Sequence, residues 1–187
     1  MKNVILTIAA FMMAATMSIN AAERGKFIHV DASVNKNLKP QLAFAQAHIN
    51  GEDITTLLVQ TVNVNNFNEF TDASRILMRF TDGEAVRLNR VAGSPVNTRK
   101  YSKKNGNATI SYYETVTEYE VTPEVLEKLE AGIAIIKVRV VFKENDAKDY
   151  EILESYQPRM ATDLYKSYQE AEGKNKKTHS DMSDEDF

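Results

Sequence analysis

Between Arg75 and Val91 the chain can fold back on itself in only one way that keeps its apolar residues together. Asp82-Gly83 marks a turn between two alternating runs. A two-residue loop would set Phe80 against Ala85 and Met78 against Arg87, mixing apolar with charged side chains. A three-residue loop, Thr81-Asp82-Gly83, pairs Met78 with Val86 and Ile76 with Leu88. It gathers Ile76, Met78, Phe80, Val86 and Leu88 on one face and leaves Arg75, Arg79 and Arg87 on the other. Because a one-residue slip exchanges the faces of a strand, the pattern selects the three-residue loop, with Gly83 in a left-handed bulge.

Other segments repeat the alternation. Phe27 to Val34 places Ile28, Val30, Ala32 and Val34 on one face, with His29, Asp31 and Ser33 opposite. Ile133 to Lys143 turns Ala134, Ile136, Val138, Val140 and Phe142 inward and Lys137, Arg139 and Lys143 outward. Leu42 to Ile49 fits either a short helix after Pro40 or a strand entering a turn. Asn50-Gly51, lying between two apolar runs, favours the strand. A strand is expected in the second half of Ile54–Val64, another over Thr109–Val121, and a short one at Tyr150–Leu153.

Thr122-Pro123-Glu124 has the form of a helix start, with a hydroxyl N-cap, proline in the first turn and an acid beside it. Gly132 supplies the stop. Pro158 to about Ala171 has an apolar stripe through Met160, Ala161, Leu164, Tyr165 and Tyr168. Residues 92–108, rich in Gly, Ser, Pro, Asn and Lys, are expected to form a long, exposed, basic loop. The expected fold is therefore α+β: a mostly antiparallel sheet of about five to seven strands, packed with helices at about 123–131 and 158–171.

The beginning of the chain carries an export signal. Lys2 precedes an apolar run, Val4 to Ala15, which fades into small residues at Ala21 and Ala22 before Glu23 and Arg24. That order suits signal peptidase, with cleavage after Ala21. An uncleaved anchor is the alternative, but Thr7, Thr16, Ser18 and Asn20 dilute a span that needs roughly 20 apolar residues. The expected organisation is a signal peptide at 1–21, one α+β domain at 22–171 and a disordered charged tail at 172–187. No stable membrane insertion is expected after cleavage.

The chain has 187 residues, a net charge of −3 and no cysteine. Thiol catalysis, thiolate metal sites and disulfides are thereby excluded, and stability must come from packing. Mild acidity gives no argument for nucleic acid as a partner. His29, His48 and His179 lack ligand-spaced neighbours, so no metal site is expected. No serine nucleophile motif and no phosphate-cradling glycine loop occur, so no catalytic residue and no cofactor is assigned.

Two residue groups stand out. Arg99, Lys100, Tyr101, Lys103, Lys104, Tyr112 and Tyr113 form a basic, tyrosine-rich segment suited to binding an acidic glycan or an envelope protein. Glu114, Glu118 and Glu120 share one strand parity. Two of them could serve glycoside hydrolysis if a cleft held the carboxyls about 5–10 Å apart. Alternatively, the acids of Glu114–Glu130 pair with the basic residues of Arg75–Lys104 across neighbouring strands.

Ile76-Leu77-Met78-Arg79-Phe80-Thr81-Asp82-Gly83 and Tyr119-Glu120-Val121-Thr122-Pro123-Glu124-Val125-Leu126-Glu127-Lys128-Leu129, continuing to Arg139, resemble small uncharacterised exported proteins of Bacteroidetes. The resemblance covers roughly residues 74–143. It implies the periplasm or cell surface of a Gram-negative bacterium and carries no catalytic residues. The expectation is a non-enzymatic binding or structural module. The alternatives are a hydrolase and an envelope assembly component that adds a strand to an exposed edge.

Overall fold

The computed structural model describes residues 24–30, 40–49, 52–65, 68–105 and 107–183. Among these, nine strands are formed: β1 (Ile28–His29), β2 (Gln41–Ile49), β3 (Glu52–Val64), β4 (Arg75–Phe80), β5 (Ala85–Asn89), β6 (Asn97–Asn105), β7 (Ala108–Glu120), β8 (Ile135–Lys143) and β9 (Asp146–Glu151). The helices are α1 (Pro123–Glu130) and α2 (Gln157–Ser183), the latter entered through a 3-10 turn at Glu154–Tyr156. The fold is α+β. Its strands form two antiparallel sheets, ordered β1-β2-β3-β7-β6 and β5-β4-β8-β9, rather than a single sheet of five to seven.

The β4–β5 hairpin has the register its apolar pattern demands. Ile76 pairs with Leu88 and Met78 with Val86, and Gly83 has φ 91°. The Phe80 N–H donates to the Glu84 carbonyl at 2.9 Å, and the Gly83 N–H to the Phe80 carbonyl at 3.1 Å. The apolar face continues onto β8, where Ile76 meets Val140 and Met78 meets Val138.

At its start β8 breaks strict alternation. Arg79 lies opposite Lys137, yet Phe80 lies opposite Ile135, which leaves Ile136 as an extra residue. Such a bulge reverses the parity beyond it. Ile135 is consequently fully buried, whereas Ile136, expected inward, is half-buried.

The segment expected to be a long loop is largely a strand. β6 pairs with β7 throughout, from Asn97 opposite Val116 to Asn105 opposite Ala108. It carries no apolar alternation because it is an edge strand exposed to solvent, so its sequence reads as a loop. Residues 41–49 form a strand, and β3 begins at Glu52 rather than midway through the run. Asn50-Gly51 lies outside the described residues, as do residues 31–39 and the proposed signal segment.

α2 also runs past its expected end near Ala171, continuing to Ser183. Glu172, Lys174, Lys176 and Lys177 favour this extension, although Gly173, Asn175 and the Thr178–Asp181 stretch do not. At α1, Pro123 opens the helix and Gly132, at φ 72°, follows its end. The Thr122 hydroxyl makes no capping bond; its carbonyl accepts from the Val125 N–H at 3.1 Å.

One apolar core spans both sheets and both helices. It includes Leu42 and Phe44 of β2, Leu57 and Val59 of β3, Tyr119 of β7, the inward residues of β4, β5 and β8, Leu129 of α1 and Leu164 of α2. The sheets meet along β7. Its first part pairs with β6 as far as Val116; near its end, Arg90 bridges Tyr119 and the Val91 N–H donates to the Glu118 carbonyl at 3.0 Å. The Arg90 side chain, only 7% exposed, is bound by the Asp72 carboxylate at 2.6 Å and by the Ser94 carbonyl.

Of the expected pairing between the acids of Glu114–Glu130 and the basic residues of Arg75–Lys104, β6 and β7 set Arg99 opposite Glu114 and the Arg90 charge acts on Glu118, while the hairpin arginines Arg79 and Arg87 take no part. Arg79 and Arg87 are exposed, with Arg79 opposite Lys137 on β8. The pairing at α1 runs with opposite signs. Lys128 donates to Asp82 at 2.6 Å and Glu84 at 2.5 Å in the β4–β5 turn, with its ammonium 5.5 Å from the Phe80 ring centroid. The Lys128 hydrogen bond pulls the Asp82 carboxyl below its ordinary range.

α2 fixes the segment leading into β1. The Ser167 hydroxyl accepts from the Phe44 N–H at 3.2 Å and donates to the Lys26 carbonyl at 2.9 Å. The Gly25 N–H donates to the Phe44 carbonyl at 2.9 Å, and the Lys26 N–H to Glu170 at 3.0 Å. A Cβ added to Gly25 would collide with the backbone of Ser167. Gly25→Ala should therefore destabilise the fold by about 1–3 kcal/mol in urea titration, as expected for overpacking against a rigid neighbour. An unchanged midpoint would mean that the close approach of Gly25 to α2 is absent in solution.

A second prediction concerns acid stability. Arg139 on β8, assisted by Lys137, holds the Asp149 carboxyl of β9 down to about 2. A carboxyl lowered from its unfolded value of about 3.9 stabilises the fold above that pH and loses this contribution as the pH falls from about 4 to 2. Over that window, Asp149→Asn should lose less stability than the wild type. Parallel stability curves would refute the assignment.

Candidate functional site

The β6–β7 ribbon brings together the cationic and aromatic residues picked out from the sequence, and it divides them between two faces. Consecutive strand residues point to opposite sides. Arg99, Tyr101 and Lys103 share one face with Tyr112 and Glu114, while Lys100 and Lys104 share the other with Tyr113. Arg99 lies opposite Glu114, Tyr101 opposite Tyr112, and Lys100 opposite Tyr113.

On the first face the cross-strand tyrosines stack, with ring centroids 5.2 Å apart and planes 10° from parallel. The Lys103 ammonium lies 5.8 Å from each ring centroid. On the other face the Lys100 ammonium stands 5.4 Å from the Tyr113 ring. These contacts orient the lysines while Arg99, Lys100, Lys103 and Lys104 stay exposed. Among the described residues none of these four cations is held in a salt bridge.

The stacked tyrosines form one wall of a groove of about 340 Å³, lined also by Gln41, Gln60, Val62, Lys103 and Glu114. Register explains the assembly: Gln41 pairs with Gln60, and Val62 pairs with Glu114, which places four strands' side chains on one face. Sequence reasoning missed Gln41, Gln60 and Val62. Gln41 opens β2 and Gln60 lies among the mixed residues of β3, and only the pairing of β2, β3 and β7 shows that they meet. The amides, the carboxylate, the ammonium and the ring wall can together hold a polar ligand by hydrogen bonds and stacking.

The three glutamates do not converge there. Glu114 lines the groove, Glu118 is buried near the Arg90–Tyr119 junction and Glu120 is exposed. Burial raises the Glu118 carboxyl above its ordinary range, and the nearby Arg90 charge opposes that rise. Among the groove-lining residues Glu114 is the single carboxylate, so these glutamates do not furnish an acid–base pair within it. His29 is exposed on β1, and the side chains of His48 and His179 lie outside the described part. Among the described residues no group of three His, Cys, Asp or Glu is placed to hold a metal ion, and no helix is long and apolar enough to cross a membrane.

Compared with known proteins, the chain matches no family model, no curated protein and no solved structure.

The ring pair should be measurable independently of any ligand. A double-mutant cycle with Tyr101→Ala and Tyr112→Ala should give a coupling of about 0.5–1.5 kcal/mol, the range for aromatic pairs. Additive effects would show that the rings do not stack in solution.

Proposed function

We propose that this chain is an exported, non-enzymatic binding module of the periplasm or cell surface of a Gram-negative bacterium, and that the β6–β7 ribbon is its contact surface. The observation carrying the reading is the ribbon itself. Four exposed cations and three tyrosines sit on the edge strand β6 and its neighbour β7, with the Tyr101–Tyr112 stack opening into a polar groove. Cations supported by aromatic rings on a solvent-facing strand favour an acidic partner, either a protein segment or a glycan.

Export is supported by the sequence order of Lys2, the apolar run and Ala21-Ala22. Arg24, shortly past the proposed cut, is already bridged to Ala45. A cleaved chain would thus enter the fold almost at its new amino terminus. Mass measurement of the protein from its native host should show residues 1–21 removed.

Reversing the ribbon's charge tests the contact surface. The quadruple variant Arg99→Glu, Lys100→Glu, Lys103→Glu, Lys104→Glu should keep the wild-type circular dichroism, because these side chains are exposed. It should lose at least tenfold in retention on envelope extract immobilised as a column. Equal retention with an intact fold would exclude the ribbon as the contact surface.

A further inference from the structure

We infer that the outer edge of β6 takes up an acidic, extended segment of a partner protein as an added strand. Resting on the ribbon as contact surface, the inference specifies the partner's chemistry. Among the described residues β6 is the last strand of its sheet, and its nine residues pair with β7 on one side only. Along the other side a strand of this length presents a row of backbone donors and acceptors, which is a template for strand addition.

The edge sequence selects what can use that template. Its cations come as two adjacent pairs, Arg99-Lys100 and Lys103-Lys104, separated by Tyr101-Ser102. Adjacent strand residues point to opposite faces. Each pair therefore sets one cation above the sheet and one below it, and the two pairs lie four residues apart. A second β6 pairing here would bring lysines against lysines, which opposes self-association. A fitting partner strand has the reverse pattern: two acidic residues, two others, then two acidic residues. The arrangement is symmetric, so it fits a partner running in either direction. The Tyr101 ring, between Arg99 and Lys103 on their face, offers an apolar surface to one of the intervening residues.

The test uses fluorescently labelled ten-residue peptides and the exported chain, at fixed ionic strength. A peptide with paired acids at four-residue spacing should bind at least tenfold more tightly than an isomer with its four acids on alternate residues, all on one face. Methylating the backbone nitrogens on one side of the paired-acid peptide should abolish binding, while methylating those on the other side should not, since only one side faces β6. If both methylated peptides bind like the parent, strand addition is wrong, yet an acidic-ligand surface survives. If none of the acidic peptides binds and the quadruple reversal leaves column retention unchanged, the ribbon reading falls as well. Equal affinity for the two isomers would overturn the paired-acid pattern.

Discussion

The joint between the sheets, where Arg90 meets Tyr119, is the constraint on which the rest of the architecture depends. β7 is shared: its first part belongs to β6 and its last residues reach across to Arg90 and Val91. The main apolar cluster thereby draws residues from both sheets and both helices, while Ala43, Ala45 and Leu58 form a smaller one of their own. A guanidinium placed here is desolvated, and its cost is offset by the Asp72 carboxylate and the Ser94 carbonyl. Tyr119 is closed off from water beside it, and burial pushes its hydroxyl up to about 12. Burial of this polar link is incompletely compensated, since among the described residues the Arg90 Nε is buried without a hydrogen-bond partner.

α2 completes this arrangement from the other end. Ser167 serves as both donor and acceptor, standing between the Phe44 N–H and the Lys26 carbonyl where a longer β1 would otherwise supply those bonds. β1 is two residues long, and the helix replaces part of its pairing. Backbone groups in that region are therefore satisfied by a side chain on a helix, which buried peptide groups require in any geometry.

The sequence made legible those elements in which pattern and burial coincide. The β4–β5 register follows from Ile76, Met78, Val86 and Leu88, because a slip would bury arginine. α1 follows from its proline and glycine boundaries. Ile136 shows the limit: alternation cannot anticipate an extra residue, so the inward position passed to Ile135. β6 shows another, because an edge strand facing water on both sides needs no apolar residues and leaves no hydrophobic trace. At the site, the lysines and tyrosines were legible as chemistry but not as geometry. The groove depends on Gln41 and Gln60 from strands distant in sequence, and no local signal joins them.

An exposed cationic edge has two consequences with one physical source. Like charges keep a second β6 away, which protects the sheet from pairing with its own copies. The same charges favour an acidic strand, but each exposed pair contributes under about 1 kcal/mol and is screened over about 8 Å at physiological salt. Four such pairs choose among partners more readily than they hold one. Affinity must then come from the backbone ladder and from surface buried against Tyr101, both indifferent to the partner's charge. In the proposed strand addition, selection and holding would thus be separate properties of β6, the side chains deciding which strand is admitted and the main chain retaining it.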